Sequence, residues 1–253
     1  MAPRWTIITG ASSGIGAEFA RAFAARGDAL VLVARRAERL AALQAELAGT
    51  RVETITLDLE QPDAAERLVA EIANRGIVVH TLVNNAGFGL RGRFTTLPYA
   101  EQIAMLELNV MTLTRLCGLV LPGLVARGAG GIINVASIAG FQAVPFMGVY
   151  AATKAYVLSL SEALHEEARQ AGVTVTALCP GATATEFARR ADLEKSKLFQ
   201  GAMQAAEVAR LGLAGYEAGR AVVITGGTNR AAALASKLLP RALVRWSAGK
   251  MQG

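Results

Sequence analysis

Apolar residues gather along this chain in short unbroken runs, separated by longer stretches where they recur every three or four positions. The unbroken runs read as strands covered on both faces. The longer stretches read as helices with one apolar stripe. Runs at 5–9, 29–34, 52–57, 80–83, 131–136, 173–179 and 220–225 predict strands. Helical spacing predicts helices over 15–26, 37–48, 63–75, 99–109, 110–125, 150–169 and 207–218. The helix over 99–109 either continues into that over 110–125 or bends, with Asn109, a poor helix former in an apolar neighbourhood, as the place for a bend. Segment 186–204 mixes Phe187, Leu193, Leu198, Phe199 and Met203 with charges and reads as a mobile helical flap. Strand and helix alternate throughout. The expected fold is α/β, a doubly wound parallel sheet of about seven strands with helices on both faces, in a single domain.

In such a sheet, ligands bind beyond the carboxyl ends of the strands. Those ends carry the unusual residues of this sequence. Gly10-Ala11-Ser12-Ser13-Gly14-Ile15-Gly16 lies between the first strand and the first helix, a layout that holds phosphates on backbone N–H groups. The second strand ends in Arg35-Arg36, with no acid between Leu30 and Ala37. An acid at that place would meet a ribose 2′-hydroxyl, whereas an Arg accommodates a 2′-phosphate, so the site favours NADP(H) over NAD(H). Cations are not favoured at a helix start, so their presence there needs such a reason. Asp58, followed by Leu59, either caps its own turn or faces an adenine. Asn84-Asn85-Ala86-Gly87, Ser137 and the turn Pro180-Gly181-Ala182-Thr183-Ala184-Thr185 end further strands. Tyr150 and Lys154 lie four apart, on one face of a predicted helix. A cation beside a phenol favours the phenolate and suits proton transfer. Alone, such a pair is more often a half-buried Tyr and a solvated Lys.

Composition narrows the picture. With 53% hydrophobic residues in 253, a large core is expected and disorder is not. The formal charge of +6 comes from scattered Lys and Arg, without a dense basic run or a nucleic-acid-reading motif, so no nucleic-acid partner is expected. Cys117 and Cys179 stand in apolar surroundings and read as buried thiols. His80 and His165 form no recognisable metal motif, and no metal is expected. The first residues are too few and too polar for a signal peptide, and the apolar run 116–126 is short of the ~20 residues that span a bilayer. A soluble, cytoplasmic protein is expected. Residues 1–228 read as the dinucleotide-binding and catalytic domain. Residues 229–253 read as a basic amphipathic tail, with Leu234, Leu238, Leu239, Leu243, Val244 and Trp246 between cations and Pro240 interrupting. Packing on the domain or at an oligomer interface is favoured for this tail over attachment to an anionic membrane surface.

Thr9 to Gly16, Asn84 to Gly87, Ser137, Tyr150-Ala151-Ala152-Thr153-Lys154 and Pro180-Gly181, in that order and spacing, resemble the short-chain dehydrogenase/reductase family in its compact, single-domain type. The resemblance implies a Rossmann-like fold and an NADP(H)-dependent oxidoreductase acting on the CH–OH group of alcohols or on the matching carbonyl. It implies that Tyr150 is the acid/base and that Lys154 lowers its pKa and binds the nicotinamide ribose. Ser137 would hydrogen-bond the substrate oxygen, and Asn109 matches the position that holds a water in a proton relay. Cofactor contacts would come from Gly10, Ser12, Ser13, Gly14, Ile15, Gly16, Arg35, Asp58, Leu59, Asn85, Ala86, Gly87, Pro180, Gly181, Thr183 and Thr185, besides Tyr150 and Lys154. Ser13 stands where some NADP(H)-dependent relatives carry a basic residue, which leaves Arg35, with Arg36, to set the preference. Phe88, Phe141, Val144, Pro145, Phe146, Phe187, Leu193 and Phe199 fall in segments expected to wall a pocket for an apolar small-molecule carbonyl or alcohol. A homodimer or homotetramer through 99–125 and 150–169 is expected. The competing reading is a non-catalytic NADP(H)-binding redox sensor or scaffold; the intact Ser137, Tyr150 and Lys154 argue against it.

Overall fold

The computed structural model describes residues 3–190 and 201–252. Seven parallel strands form one sheet: β1 (Trp5–Thr9), β2 (Ala29–Ala34), β3 (Val52–Thr56), β4 (Val79–Asn84), β5 (Gly131–Val135), β6 (Thr174–Cys179) and β9 (Val222–Ile224). Their order is β3-β2-β1-β4-β5-β6-β9. The order reverses between β1 and β4, which opens a crevice at the carboxyl edge. A small parallel pair, β7 (Thr183–Ala184) and β8 (Met203–Gln204), lies outside the sheet.

Successive strand side chains point to opposite faces, and the core divides accordingly. Ile7, Val31, Val33, Leu82 and Ile132 join one cluster with α3 (Ala64–Asn74), α5 (Leu113–Arg127) and α6 (Gly148–Arg169). Ile8, Leu30, Leu32, Val83 and Ile133 join the other with α1 (Gly14–Ala25), α2 (Ala37–Glu46) and α8 (Ala205–Glu217). Every residue of β1, β2 and β5 is buried, as their unbroken apolar runs require. The observed fold is the expected doubly wound, Rossmann-like domain.

Three elements add detail to the sequence-based expectation. The bend at Asn109 is a π-helical turn, Glu107–Thr112, joining α4 (Tyr99–Leu106) to α5 without a break. The joined helix Tyr99–Arg127 is thereby long and apolar enough to cross a bilayer by length and composition alone, but it packs here against α3, β4 and β5. The flap begins as a short helix, α7 (Glu186–Arg190), and its Leu193, Leu198 and Phe199 lie outside the described residues. The last strand ends at Ile224, just before the glycine pair; Gly227 opens α9 (Gly227–Leu238), and Pro240 separates it from α10 (Arg241–Gln252).

Candidate active site

The carboxyl edge opens into a cleft of about 770 Å³. Its floor is the loop between β1 and α1. Gly10 and Gly14 take left-handed φ values of 65° and 55°, which only glycine adopts without strain. Gly16 is needed for a different reason, since a Cβ there would sit 2.4 Å from the Gly10 carbonyl oxygen. Thr9 Oγ1 accepts the N–H groups of Asn85 (2.9 Å) and Ala86 (3.0 Å). Asn85 Nδ2 donates to the carbonyls of Thr9 and Gly10. The loops after β1 and β4 are thus stitched into one wall. Ser13 makes no side-chain cap to α1, and no acid stands in the first turn of that helix. Its first N–H groups therefore suit an anionic ligand.

At one end of the cleft stand the two arginines. Arg36 donates to Ser12 Oγ (2.9 Å) and Ser13 Oγ (3.1 Å), and to Glu186 Oε2 (2.9 Å). Arg39 reaches the other oxygen of Glu186 at 2.6 Å. The bond from Arg39, with those from Arg36 and Ser13, holds the Glu186 carboxyl down at about 2 against the opposing effect of burial. Arg35 turns away to Glu60 (2.9 Å) and stands 3.9 Å from Asp58. The chain is extended at Arg36, so neighbouring side chains diverge. Of the two arginines expected to set the cofactor preference, Arg36 bears on the glycine loop, and Arg35 lines the cleft beside it. Arg36 also fills the place beside Ser13 left without a basic residue. Asp58 Oδ1 caps its turn by accepting the Glu60 N–H at 3.1 Å, and Asp58 and Leu59 still line the cleft.

The other end is buried. β5 delivers Ser137, and the first turns of α6 deliver Tyr150 and Lys154, all three in the cleft wall. Ser137 Oγ accepts the Ala139 N–H at 3.1 Å and faces the Pro180 carbonyl at 3.5 Å. Lys154 Nζ donates to the Val135 carbonyl at 2.7 Å and lies 5.8 Å from the centre of the Tyr150 ring. Burial pushes the Tyr150 phenol up to about 12, a hydrogen bond with Ser137 only partly offsetting it. Burial pulls the Lys154 ammonium down to about 8. Among the protein's own groups, burial thus sets the direction of the phenol's shift, while the Lys154 ammonium is aimed at the Val135 carbonyl. Two close approaches fix this end. A Cβ on Gly140 would sit 2.6 Å from the Lys154 carbonyl oxygen, and one on Gly89 would strike Phe187 and Tyr150. The Phe187 ring, from α7, stacks obliquely on Tyr150 at 5.3 Å.

The cleft brings together Gly10, Ser12, Ser13, Gly14, Ile15, Arg35, Asp58, Leu59, Asn85, Ala86, Gly87, Ser137, Tyr150, Lys154, Pro180, Gly181, Thr183 and Thr185. It leaves out Gly16, which packs beneath the loop, and Asn109. The Asn109 side chain is spent on protein partners: Oδ1 accepts the Phe88 N–H (3.1 Å), and Nδ2 donates to the Phe88 carbonyl (2.9 Å) and Thr153 Oγ1 (3.2 Å). Both hydrogens of the amide are thereby used, and Oδ1 keeps one lone pair. Of the expected apolar walls, Phe88, Val144 and Phe187 face the cleft, with Leu108 and Met147 beside them. Phe141 instead borders a separate groove with Lys237 over its ring. Pro145 packs under Gly249, and Arg93 covers the Phe146 ring. Leu193 and Phe199 lie outside the described residues.

Sequence reasoning missed Glu186, Thr228, Asn229, Ala232 and Ala248, which also line the cleft. Asn229 had a signal in the glycine pair just before it: its Nδ2 donates to the Thr225 carbonyl at 2.7 Å, and it packs where a Cβ on Gly181 would be. Ala248 had none. Burial also pushes both cysteine thiols up to about 12, so they stay protonated and free. Among the described residues, no group of three or more His, Cys, Asp or Glu gathers to hold a metal.

The chain is 41% identical over 183 residues to a sulfoacetaldehyde reductase of Chromohalobacter salexigens, covering 71% of this chain and 72% of that protein. It is 32% identical over 192 residues to a very-long-chain 3-oxoacyl-CoA reductase of Bos taurus; that stretch is 73% of this chain but only 61% of the relative's length. A solved short-chain dehydrogenase from Sphingobium yanoikuyae, in complex with NADPH, superposes with a TM-score of 0.83 at 36% identity, covering 93% of each chain. The family described as short chain dehydrogenase matches residues 4–196. A match over most of the 253 residues, on a sheet and cleft of this form, makes the chain a member of the short-chain dehydrogenase family.

Proposed function

We propose that the protein is an NADP(H)-dependent oxidoreductase that interconverts a ketone or aldehyde and its alcohol on an apolar small molecule. The observation that carries this reading is the shared cleft, with Arg36 on the glycine loop at one end and Ser137, Tyr150 and Lys154 at the other. The groups present fit the cofactor. Uncapped N–H groups of α1 suit its pyrophosphate, and Arg36 with Ser12 and Ser13 suits a 2′-phosphate. When bound, NADPH supplies the hydride to the carbonyl carbon.

The protein's own groups supply the rest. Tyr150, kept protonated at neutral pH by its burial, gives its proton to the carbonyl oxygen as negative charge develops there. Ser137 donates a hydrogen bond to the same oxygen. Lys154 keeps a positive charge at the floor of this end, anchored on Val135. Phe187 covers the Tyr150 ring and keeps bulk water from the phenol.

The substrate side is lined by Phe88, Leu108, Val144, Met147 and Phe187, and Lys154 is the one cation among the described residues at this end of the cleft. This supports an apolar carbonyl compound over an anionic one. The exposed Tyr99, Ile103, Leu106 and Met111 on the long helix, with Tyr156 on α6, support pairing of subunits through those helices. Titration with NADPH and NADH, followed by a screen of aliphatic, aromatic and polycyclic ketones for NADPH oxidation, tests the whole reading. Turnover with NADPH is the expected result. Tight NADPH binding without turnover across the panel would leave a redox sensor in its place.

A further inference from the structure

The net charge of the chain resides in its last segment. No Asp or Glu follows Glu217, whereas Arg220, Arg230, Lys237, Arg241, Arg245 and Lys250 do. Set apart from the 26 basic and 20 acidic residues of the whole, these leave the rest of the chain with as many acids as bases. Among the described residues, no carboxylate forms an ion pair with any of them.

The same segment exposes apolar surface. Leu234, Leu238 and Trp246 are 59%, 76% and 58% exposed, and Leu239 and Leu243 are nearly half-exposed. On α9, Arg230, Leu234, Lys237 and Leu238 fall on one stripe, while Ala233 turns inward. On α10, Val244 and Ala248 turn inward, while Leu243, Trp246 and Lys250 share the outer stripe. Lys250 Nζ stands 4.3 Å above the Trp246 ring, its stem lying along apolar surface. The tail therefore packs on the domain by one face and still presents leucines, a tryptophan, Arg241, Arg245 and Lys250 on the other, while Arg230 reaches back to the Ile224 carbonyl at 3.0 Å and Lys237 to the Phe141 ring.

We infer that α9 and α10 form a peripheral face that seats on an anionic lipid surface. Leu234, Leu238, Leu239, Leu243 and Trp246 would enter the headgroup boundary, and the cations around them would pair with lipid phosphates. Charge complementarity selects this occupant. A second copy of the chain would bring two cationic faces together with no acid to answer them. The position has a use under the function proposed above, on which this clause alone rests. Thr228, Asn229, Ala232 and Ala248, on these same helices, wall the cleft, so a lipid-dissolved carbonyl compound would meet the protein beside its site.

Vesicle flotation tests the inference with no need for turnover. The probes are phosphatidylcholine vesicles with and without about a third phosphatidylglycerol. The protein should float with the anionic vesicles at low salt, at least ~10-fold more than with neutral ones, and lose binding at high salt. Of the two tryptophans, Trp5 is buried, so a blue shift of fluorescence on binding reports Trp246. Arg241→Glu with Arg245→Glu should cut binding at least ~10-fold, and Leu243→Ser with Trp246→Ala should remove the rest, both with ketone reduction in solution unchanged. Equal affinity for neutral vesicles, or no binding to either, would overturn the inference. So would a Leu243→Ser/Trp246→Ala protein whose only change is a smaller oligomer on size-exclusion chromatography.

Discussion

At the Arg36 end of the cleft the charges are half-exposed and shared: Arg36 and Arg39 divide the two oxygens of Glu186. At the Tyr150 end they are buried, and Lys154 is answered by a carbonyl oxygen alone. The contrast separates two ways of readying a site. Exposed ion pairs each contribute little, so their partners can be exchanged when a better anion arrives. A buried phenol and ammonium cannot exchange partners cheaply, and their protonation is set by desolvation before any ligand enters. One end is built to recognise, the other to react.

Substitutions at the two ends should therefore differ in kind. Tyr150→Phe removes the proton and little else. Turnover should fall by about 10³-fold while NADPH affinity stays within about twofold. A parallel loss of affinity would show that the ends are not separate. Arg36→Ala should weaken NADPH by roughly 10- to 100-fold and leave NADH nearly unchanged, as fits the loss of a charge-assisted bond to a phosphate. Arg35→Ala should do less; the reverse ranking, read by fluorescence titration, would return the preference to Arg35.

The buried end should also announce itself in stability. Lys154 titrates at about 8 in the fold against 10.5 unfolded. Between those values the unfolded chain binds the extra proton, so the lysine's contribution to stability rises with pH. Denaturant midpoints of the wild type and Lys154→Met should diverge there by on the order of 1 kcal/mol per pH unit. Parallel curves would mean that Lys154 is better hydrated than its place in the fold indicates. The smallest effect belongs to the exposed end. Glu186→Gln should free the two guanidinium groups and tighten NADPH a few-fold, with no change for NADH. Weaker NADPH binding would mean that Glu186 helps to build the site and does not merely hold it.

Much of this was legible beforehand because it rests on the chain's strongest signals. Fully buried strands need unbroken apolar runs, and their carboxyl ends need glycine, hydroxyl and amide residues wherever a ligand's phosphates are to lie. The parts that escaped depend on direction, which a sequence does not carry. Arg35 and Arg36 are adjacent, and which one meets the glycine loop is decided by the angle at which β2 gives way to α2. Phe146 and Pro145 sit beside Val144, but the turn rotates them out of the cleft. Ala248 lies far along the chain and reaches the wall only because α10 folds back after Pro240. Spacing likewise reveals the cationic neighbour of Tyr150 and not the depth of its burial.

The π-helical turn at Glu107–Thr112 has a bearing on how this chain can change. Such a turn holds about one residue more than an α-helical turn, so α4 and α5 run out of phase with each other across it. Deleting a single residue there would give a smoother helix with better hydrogen bonds. It would also rotate Asn109 by roughly 100° and break its bonds to Phe88 and Thr153, just beneath Tyr150. Regularity and alignment are opposed at this one position, and the fold has settled on the irregular choice.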